Sequence, residues 1–287
     1  MTFGIIGSGA FGTALSISLS STKKKLILWT RNQDVVNSVQ EIRENRLRLP
    51  GYILPQNIIV TNDINQMGNC SIILIAVPMQ QLRSVVELHR SSLEGKILVA
   101  CCKGFEVSTG LGPTSILEMA SNRTAVLTGP SFAADLASGF PTALTVASKV
   151  EGLAQYIQSE LGTETLRLYW SDDPIGAEFG GALKNVIAIG CGVTIGAGYG
   201  SSSRAALMTR GYSEIISIAP YFGAKPETLS GLCGLGDLSL TCMSSESRNY
   251  RYGLALGKQQ SFDQNITVEG TSTSSAIILK AKEYKLD

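Results

Sequence analysis

Two lysines stand out among the residues able to do chemistry. Lys184 lies in Gly180-Gly181-Ala182-Leu183-Lys184-Asn185-Val186, inside a long helical pattern. Its face neighbours one turn away are Gly180, Gly181 and Ala188. Two glycines inside a helix cost about 1 kcal/mol each, so close approach by another backbone or a ligand must favour them. A lysine on such a small-residue face is partly desolvated, its pKa falls, and it suits general acid/base work. Lys103 follows the apolar run 97–102 and precedes Gly104. A lysine at the carboxyl end of an inner strand points into a cleft, and beside Lys184 it would lower that pKa further.

Other polar groups cluster at turns. Gly129-Pro130-Ser131 offers a backbone N–H and a hydroxyl at a helix N-terminus, where anions bind readily. Ser131 reads equally as an N-cap. Gly234-Leu235-Gly236-Asp237-Leu238 reads as a tight loop, and Ser247-Arg248-Asn249 follows it. Ser247 can cap the helix that starts there, placing Arg248 and Asn249 in its first turn. An arginine there opposes the helix dipole unless an anion is present. Hydroxyl, guanidinium, amide and helix terminus together make a phosphate clamp.

Some chemistry is excluded. The chain has one histidine, His89, at the end of a surface helix pattern, so a dehydrogenase His–carboxylate pair has no histidine to draw on. Tyr221-Phe222-Gly223-Ala224-Lys225 matches a Tyr-x-x-x-Lys dyad, but Gly223 and Pro226 break the helix that would align the two side chains. The six cysteines form no C-x-x-C and no metal-ligand spacing, and read as small core residues in a reducing compartment.

These residues need a frame, and the first dozen residues begin it. Phe3-Gly4-Ile5-Ile6-Gly7-Ser8-Gly9-Ala10-Phe11-Gly12 is an apolar strand running into a G-x-G-x-x-G turn, with a helical pattern directly after it. That is the context of the dinucleotide fingerprint. Gly7 permits the tight turn, Gly9 lets the backbone approach a pyrophosphate, and Gly12 lets the helix sit close to the strand. The second strand pattern ends in Thr30-Arg31-Asn32, with no acidic residue to grip a ribose 2′-hydroxyl. Arg31 can instead pair with a 2′-phosphate. NADP is therefore favoured, with NAD possible.

Strand patterns at 3–6, 25–29, 57–60, 71–77, 96–101, 124–128, 142–147 and 166–169 alternate with helical ones at 11–21, 33–44, 79–89, 113–120, 131–138 and 150–160. The alternation predicts an α/β, Rossmann-type doubly wound sheet. After Trp170 the strand patterns cease, and Ser171-Asp172-Asp173-Pro174 starts a helix. Helical patterns follow at about 174–195, 203–219, 226–232, 248–257 and 272–284. The expected domains are a dinucleotide-binding domain over 1–170 and an all-helical substrate-binding domain over 171–287.

A formal net charge of +1 gives no field toward nucleic acid or an anionic membrane. Phe3 already begins a strand with no basic segment before it, so no signal peptide is expected. The longest mostly apolar stretch, 186–197, is broken by Gly190 and Gly192 and is too short to span a bilayer. A cytoplasmic protein is expected.

Taken in order, the motifs resemble those of bacterial NAD(P)-dependent sn-glycerol-3-phosphate dehydrogenases. The matching segments are 7–15, Asn45-Arg46 with Leu49-Pro50, Val77-Pro78, Lys103-Gly104, 129–133, 180–188, Thr209-Arg210-Gly211, 231–237, Ser247-Arg248-Asn249 and Val268-Glu269-Gly270. The resemblance implies reversible reduction of dihydroxyacetone phosphate to sn-glycerol 3-phosphate, the backbone for phospholipid synthesis, by a homodimer acting on a small phosphorylated substrate. It implies Lys184 as proton donor and acceptor, with Lys103 in contact with substrate and cofactor. It further implies that Gly129, Ser131, Asp237, Ser247, Arg248 and Asn249 hold substrate. Ala10, Phe11, Arg31, Ala133, Arg248 and Glu269 would hold cofactor beside the glycine turn. Such proteins usually continue for roughly forty residues beyond the position of Asp287, so the helical domain is expected to be C-terminally short.

Overall fold

The structure, a computed structural model, describes residues 1–264 and 266–284. It divides into two compact units. Residues 1–102, 114–127 and 131–172 form the first, and residues 103–113, 128–130 and those from Asp173 onward form the second.

In the first unit, β1 (Thr2–Ile6), β2 (Lys25–Trp29), β5 (Ile58–Thr61), β6 (Ile72–Ile75), β7 (Ile97–Ala100), β8 (Thr124–Thr128), β9 (Thr142–Ala147) and β10 (Leu166–Ser171) build one sheet of order β10-β9-β8-β7-β6-β1-β2-β5. The pairs β1–β2, β1–β6, β2–β5, β6–β7, β7–β8 and β9–β10 are parallel. Helices α1 (Ala10–Leu19), α2 (Gln33–Ile42), α3 (Met79–Leu88), α4 (Arg90–Leu93), α5 (Pro113–Leu117), α6 (Ala133–Ala137) and α7 (Leu153–Leu161) connect the strands. This is a Rossmann-like doubly wound sheet. Its inner strands are continuous apolar runs because both faces are covered: every residue of β6 and of β7 is buried. The strand order reverses between β1 and β6, and ligands of open α/β sheets bind outside the carboxyl ends of strands at such a reversal.

One element has no counterpart in the sequence reading. Between α2 and β5 the short antiparallel pair β3 (Glu44–Asn45) and β4 (Leu49–Ile53) folds back toward the first turn of the sheet. Asn45, fully buried, donates from Nδ2 to the carbonyl of Ser8 at 2.9 Å and to Oγ1 of Thr13 at 2.8 Å. It braces the glycine turn from outside the fingerprint. His89 also differs from expectation. It caps α3 as expected, but it is half-buried, with its ring edge-to-face on Trp29 at 5.1 Å between centroids. Burial lowers its pKa.

The second unit is helical: α8 (Pro174–Gly196), α9 (Ser201–Ile218), α10 (Pro226–Leu229), α11 (Asp237–Met243), α12 (Arg248–Gly257) and α13 (Glu269–Tyr284). Asp173 caps α8 through Gly176 N at 2.8 Å, with Pro174 in the first turn, as the sequence predicts. α8 is the core of the unit. Phe179, Ala182 and Leu183 pack with Phe105, Ile215 and Leu229 on one side, and Ala188 and Cys191 with Leu238, Cys242 and Tyr250 on another.

As the helical pattern predicts, α8 runs unbroken through Gly190 and Gly192, so these glycines do not interrupt the apolar stretch as the sequence reading had it. By length and composition it could cross a membrane, but 56% of its apolar window is buried inside the unit. Its glycines have a packing reason. A Cβ on Gly192 would run into the carbonyl of Tyr250, and one on Gly196 into that of Leu254. Across the seam, a Cβ on Gly253 would meet the carbonyl of Ile189, and one on Gly257 that of Val193. α8 and α12 thus touch backbone to backbone along two turns, which no residue with a side chain allows.

Candidate active site

Two places carry the groups singled out in the sequence. The first is the glycine turn after β1. Gly7 has φ +110°, a region costly for L side chains. A Cβ there would lie 2.6 Å from the carbonyl oxygen of Ala76, at the end of β6. A Cβ on Gly12 would run into the carbonyl of Gly7, so α1 lies directly on the turn. Gly9 is different: a Cβ there would meet nothing within 4 Å. Its lack of a side chain answers to no protein neighbour, as fits a position kept clear for a pyrophosphate. α1 has no side-chain cap and no acidic residue in its first turn, so its first N–H groups and its dipole are available to an anion. Ala10 and Phe11, half-buried, open this helix.

Ser8 donates to Oγ1 of Thr30 at 2.7 Å, tying the turn to the end of β2. Arg31 comes next, exposed and with no ion pair among the described residues. Asp34 stands inside the first turn of α2, capped by Asn32. Ala133 opens α6, half-buried. Ser131 is not the N-cap of that helix; Phe132 is, without a side-chain bond. The Ser131 hydroxyl is buried and has no hydrogen-bond partner among the described residues.

The second place lies within the helical unit. Lys184 projects from the middle of α8, 6% exposed, and donates to Oδ1 of Asp237 at 2.5 Å and to Oγ1 of Thr241 at 2.9 Å. Lys103, beyond β7, donates to the other oxygen of the same carboxylate at 2.6 Å and to the carbonyl of Gly129 at 3.1 Å. Asp237, 1% exposed, therefore holds both amines. Thr241, one turn on in α11, donates to the carbonyl of Asp237 at 2.6 Å and so presents a lone pair to Lys184.

Local backbone explains the convergence. The segment read as a tight loop is a π-helical turn, Leu232–Gly236, that delivers Asp237 as the first residue of α11. A Cβ on Gly180 would lie 2.6 Å from the carbonyl of Cys233, so α8 packs closely on this turn. A Cβ on Gly181 would lie 2.8 Å from Oγ1 of Thr128 and 3.7 Å from Cγ of Lys103. The glycines beside Lys184 thus admit, respectively, the aspartate turn and the second lysine.

The electrostatics separate the two lysines. Burial, the largest effect, draws the Lys184 pKa down; Asp237 draws it up, Lys103 pushes it down again, and it settles at about 8. Burial also opposes the charge of Lys103, but Asp237, by charge and by hydrogen bond, outweighs it and holds that ammonium above the ordinary lysine value. Glu269, the first residue of α13, adds to this. One amine is poised to exchange a proton near neutral pH, and the other stays a fixed positive charge.

The clamp region is built partly as read. Ser247 caps α12 by accepting from Tyr250 N at 3.2 Å, and Arg248 stands exposed in the first turn with no ion pair among the described residues. Asn249 stands beside Arg248 in the same first turn. Buried, it donates to Oδ1 of Asn185 at 2.8 Å and accepts from Gly270 N at 2.9 Å, joining α12 to α8 and α13. Tyr221 and Lys225 are not aligned: Gly223, with φ +79°, ends the 3-10 turn between them. Among the described residues, no group of three or more His, Cys, Asp or Glu could hold a metal ion.

A Rossmann-like sheet with this glycine turn fits a dinucleotide-binding oxidoreductase, and the buried Lys184–Asp237–Lys103 cluster supplies it with an acid/base group. Known proteins give the family. The family described as NAD-dependent glycerol-3-phosphate dehydrogenase matches with its N-terminal part at residues 2–154 and its C-terminal part at 173–287. The glycerol-3-phosphate dehydrogenase, NAD(P)+, of Ruegeria sp. (strain TM1040) is 52% identical, with 100% of this chain and 90% of that protein covered. That of Roseobacter denitrificans is 50% identical over the same shares. The crystal structure of glycerol-3-phosphate dehydrogenase from Coxiella burnetii is similar with a TM-score of 0.92 and 32% identity, covering 100% of this chain and 90% of that one. The chain belongs to the NAD-dependent glycerol-3-phosphate dehydrogenase family and is an enzyme that uses a nicotinamide cofactor.

Proposed function

We propose that the chain interconverts dihydroxyacetone phosphate and sn-glycerol 3-phosphate, with NADPH the favoured reductant and NADH possible. The observation that carries the mechanism is the sharing of Asp237 by Lys184 and Lys103. When bound, the cofactor supplies a hydride to the substrate's carbonyl carbon, or takes one back. Lys184 gives the proton to the substrate oxygen in reduction and removes it in oxidation. Lys103 stabilises the negative charge that develops on that oxygen. With both lysines charged, the cluster carries one net positive charge; once Lys184 has given up its proton, Lys103 and Asp237 remain as a neutral pair. Asp237 keeps both amines aimed through the cycle.

Arg248 and the N-terminus of α12 suit the substrate phosphate, with Gly129 and Ser131 as further contacts. Ser247, which caps α12, and Asn249, which ties it to α8 and α13, are further substrate contacts in this reading. Binding energy at the phosphate, remote from the reacting carbon, serves orientation. The glycine turn suits the pyrophosphate, with Ala10, Phe11 and Ala133 against the cofactor, and Arg31 suits a 2′-phosphate. Glu269, whose charge acts on Lys103, is a cofactor contact in this reading. The expected setting is a cytoplasmic homodimer that supplies glycerol phosphate to phospholipid synthesis.

Oxidation of NADPH by the purified chain, followed with dihydroxyacetone phosphate and with a non-phosphorylated keto acid, tests the reading. Turnover confined to the phosphorylated ketone is expected. Lys184→Ala should lose turnover and keep NADPH binding. Preference for the keto acid, or normal turnover by the variant, overturns the proposal.

A further inference from the structure

Thr128 ends β8 and is 2% exposed, yet its hydroxyl has no hydrogen-bond partner among the described residues. A buried hydroxyl left unpaired lowers stability, so an orphan of this kind calls for an explanation. Its surroundings supply one. Thr128 Oγ1 and the stem of Lys103 occupy the space opened by the missing side chain of Gly181, one turn before Lys184 on the same helix. The hydroxyl therefore lies against Gly181 on the face of α8 that carries Lys184, alongside the stem of Lys103, with its donor and acceptor capacity unused.

The polar atoms of dihydroxyacetone phosphate, the substrate of the reading above on which this inference rests, sort by charge. The carbonyl oxygen calls for the ammonium pair, and the phosphate for Arg248 and a helix N-terminus. What remains is a neutral hydroxyl, which calls for a neutral partner that both gives and accepts a hydrogen bond. The amides of Asn185 and Asn249 already have partners: Asn185 Oδ1 accepts from Asn249 Nδ2, and Asn249 Oδ1 from Gly270 N. The hydroxyl of Thr241 is committed to Lys184 and to the carbonyl of Asp237. Ser131 is also unpaired, but it is the residue read above as a contact of the substrate phosphate.

We infer that Thr128 reads the substrate's free hydroxyl and so acts as a specificity-determining residue for three-carbon phosphorylated ketones that carry one. The test compares Thr128→Val and Thr128→Ser with the unaltered enzyme on dihydroxyacetone phosphate and on hydroxyacetone phosphate, the analogue lacking that hydroxyl. The valine variant is expected to lose about tenfold in kcat/KM on dihydroxyacetone phosphate and to change little on the analogue. The serine variant should stay near the original on both. NADPH affinity should be unchanged, and the valine variant should melt at or above the temperature of the original, because only an unpaired hydroxyl has gone.

Equal losses on the two ketones, or no loss on either, overturn the inference, the latter being what Ser131 alone reading the hydroxyl would produce. A lowered melting temperature with equal losses assigns Thr128 to packing and overturns it too. Failure of the unaltered enzyme to reduce dihydroxyacetone phosphate marks failure of the underlying reading instead.

Discussion

Lys184 and Asp237 meet at 2.5 Å although 53 positions separate them in the chain, one in the middle of α8 and the other opening α11. The contact is buried on both sides and is shared, through the second carboxylate oxygen, with Lys103. A buried charge that loses its partner is costly, whereas a shared one can be tuned.

The pH dependence follows from the Lys184 value of about 8. Reduction of the ketone needs this amine protonated, so kcat for reduction should hold below about pH 8 and fall above it. Oxidation of the alcohol needs it neutral, so kcat in that direction should rise toward about pH 8 and then level. Saturating rates in both directions, from about pH 6 to about pH 10, check this. Parallel profiles would remove Lys184 from the proton step.

Asp237→Asn leaves two buried ammonium groups without their shared counter-charge. Stability should fall by about 3 kcal/mol, read as a lower denaturant midpoint. The Lys184 pKa should fall further below 8, so the loss of reductive activity should begin at a more acid pH. An unmoved profile would mean that Asp237 does not set the amine.

Gly9→Ala and Gly12→Ala should part company. A methyl on Gly9 meets open space, so the free protein should melt as before while losing affinity for NADPH and NADH alike. A methyl on Gly12 collides with the carbonyl of Gly7 and should cost about 1–3 kcal/mol of stability before any cofactor is added. Calorimetry with and without cofactor separates the two effects. Undiminished binding in the Gly9 variant would refute the assignment of the turn.

Arg31→Ala should weaken NADPH binding by about 2 kcal/mol, the scale of a charge-assisted hydrogen bond to phosphate. NADH binding should barely change. Equal losses would show that this exposed guanidinium does not read the 2′-phosphate.

Much of this was legible in the sequence because the signals were local. The Gly7–Gly12 turn, the Asp173-Pro174 helix start and the Ser247 cap each depend on residues within a few positions of one another. The small-residue face around Lys184 announced a close approach without saying what approached. Only folding shows that Gly180 admits the carbonyl of Cys233, and Gly181 the hydroxyl of Thr128. The π-helical turn before Asp237 read as a loop because Gly231, Gly234 and Gly236 carry no helical signal, although Gly234 is packed hard on the carbonyl of Leu229. Asn45 was a motif without a role, since its partners Ser8 and Thr13 lie more than thirty positions away. Asn249 read as a ligand contact, and its bonds to Asn185 and Gly270 needed coordinates to see.

The side-chain-free seam between α8 and α12 works as a gauge. It sets the separation of two helices, one bearing Lys184 and the other Arg248 at its first turn. A methyl at Gly192 or Gly253 would act as a shim, pushing Arg248 outward without touching either group. An enzyme so altered would still own every reacting residue and yet measure its substrate wrongly.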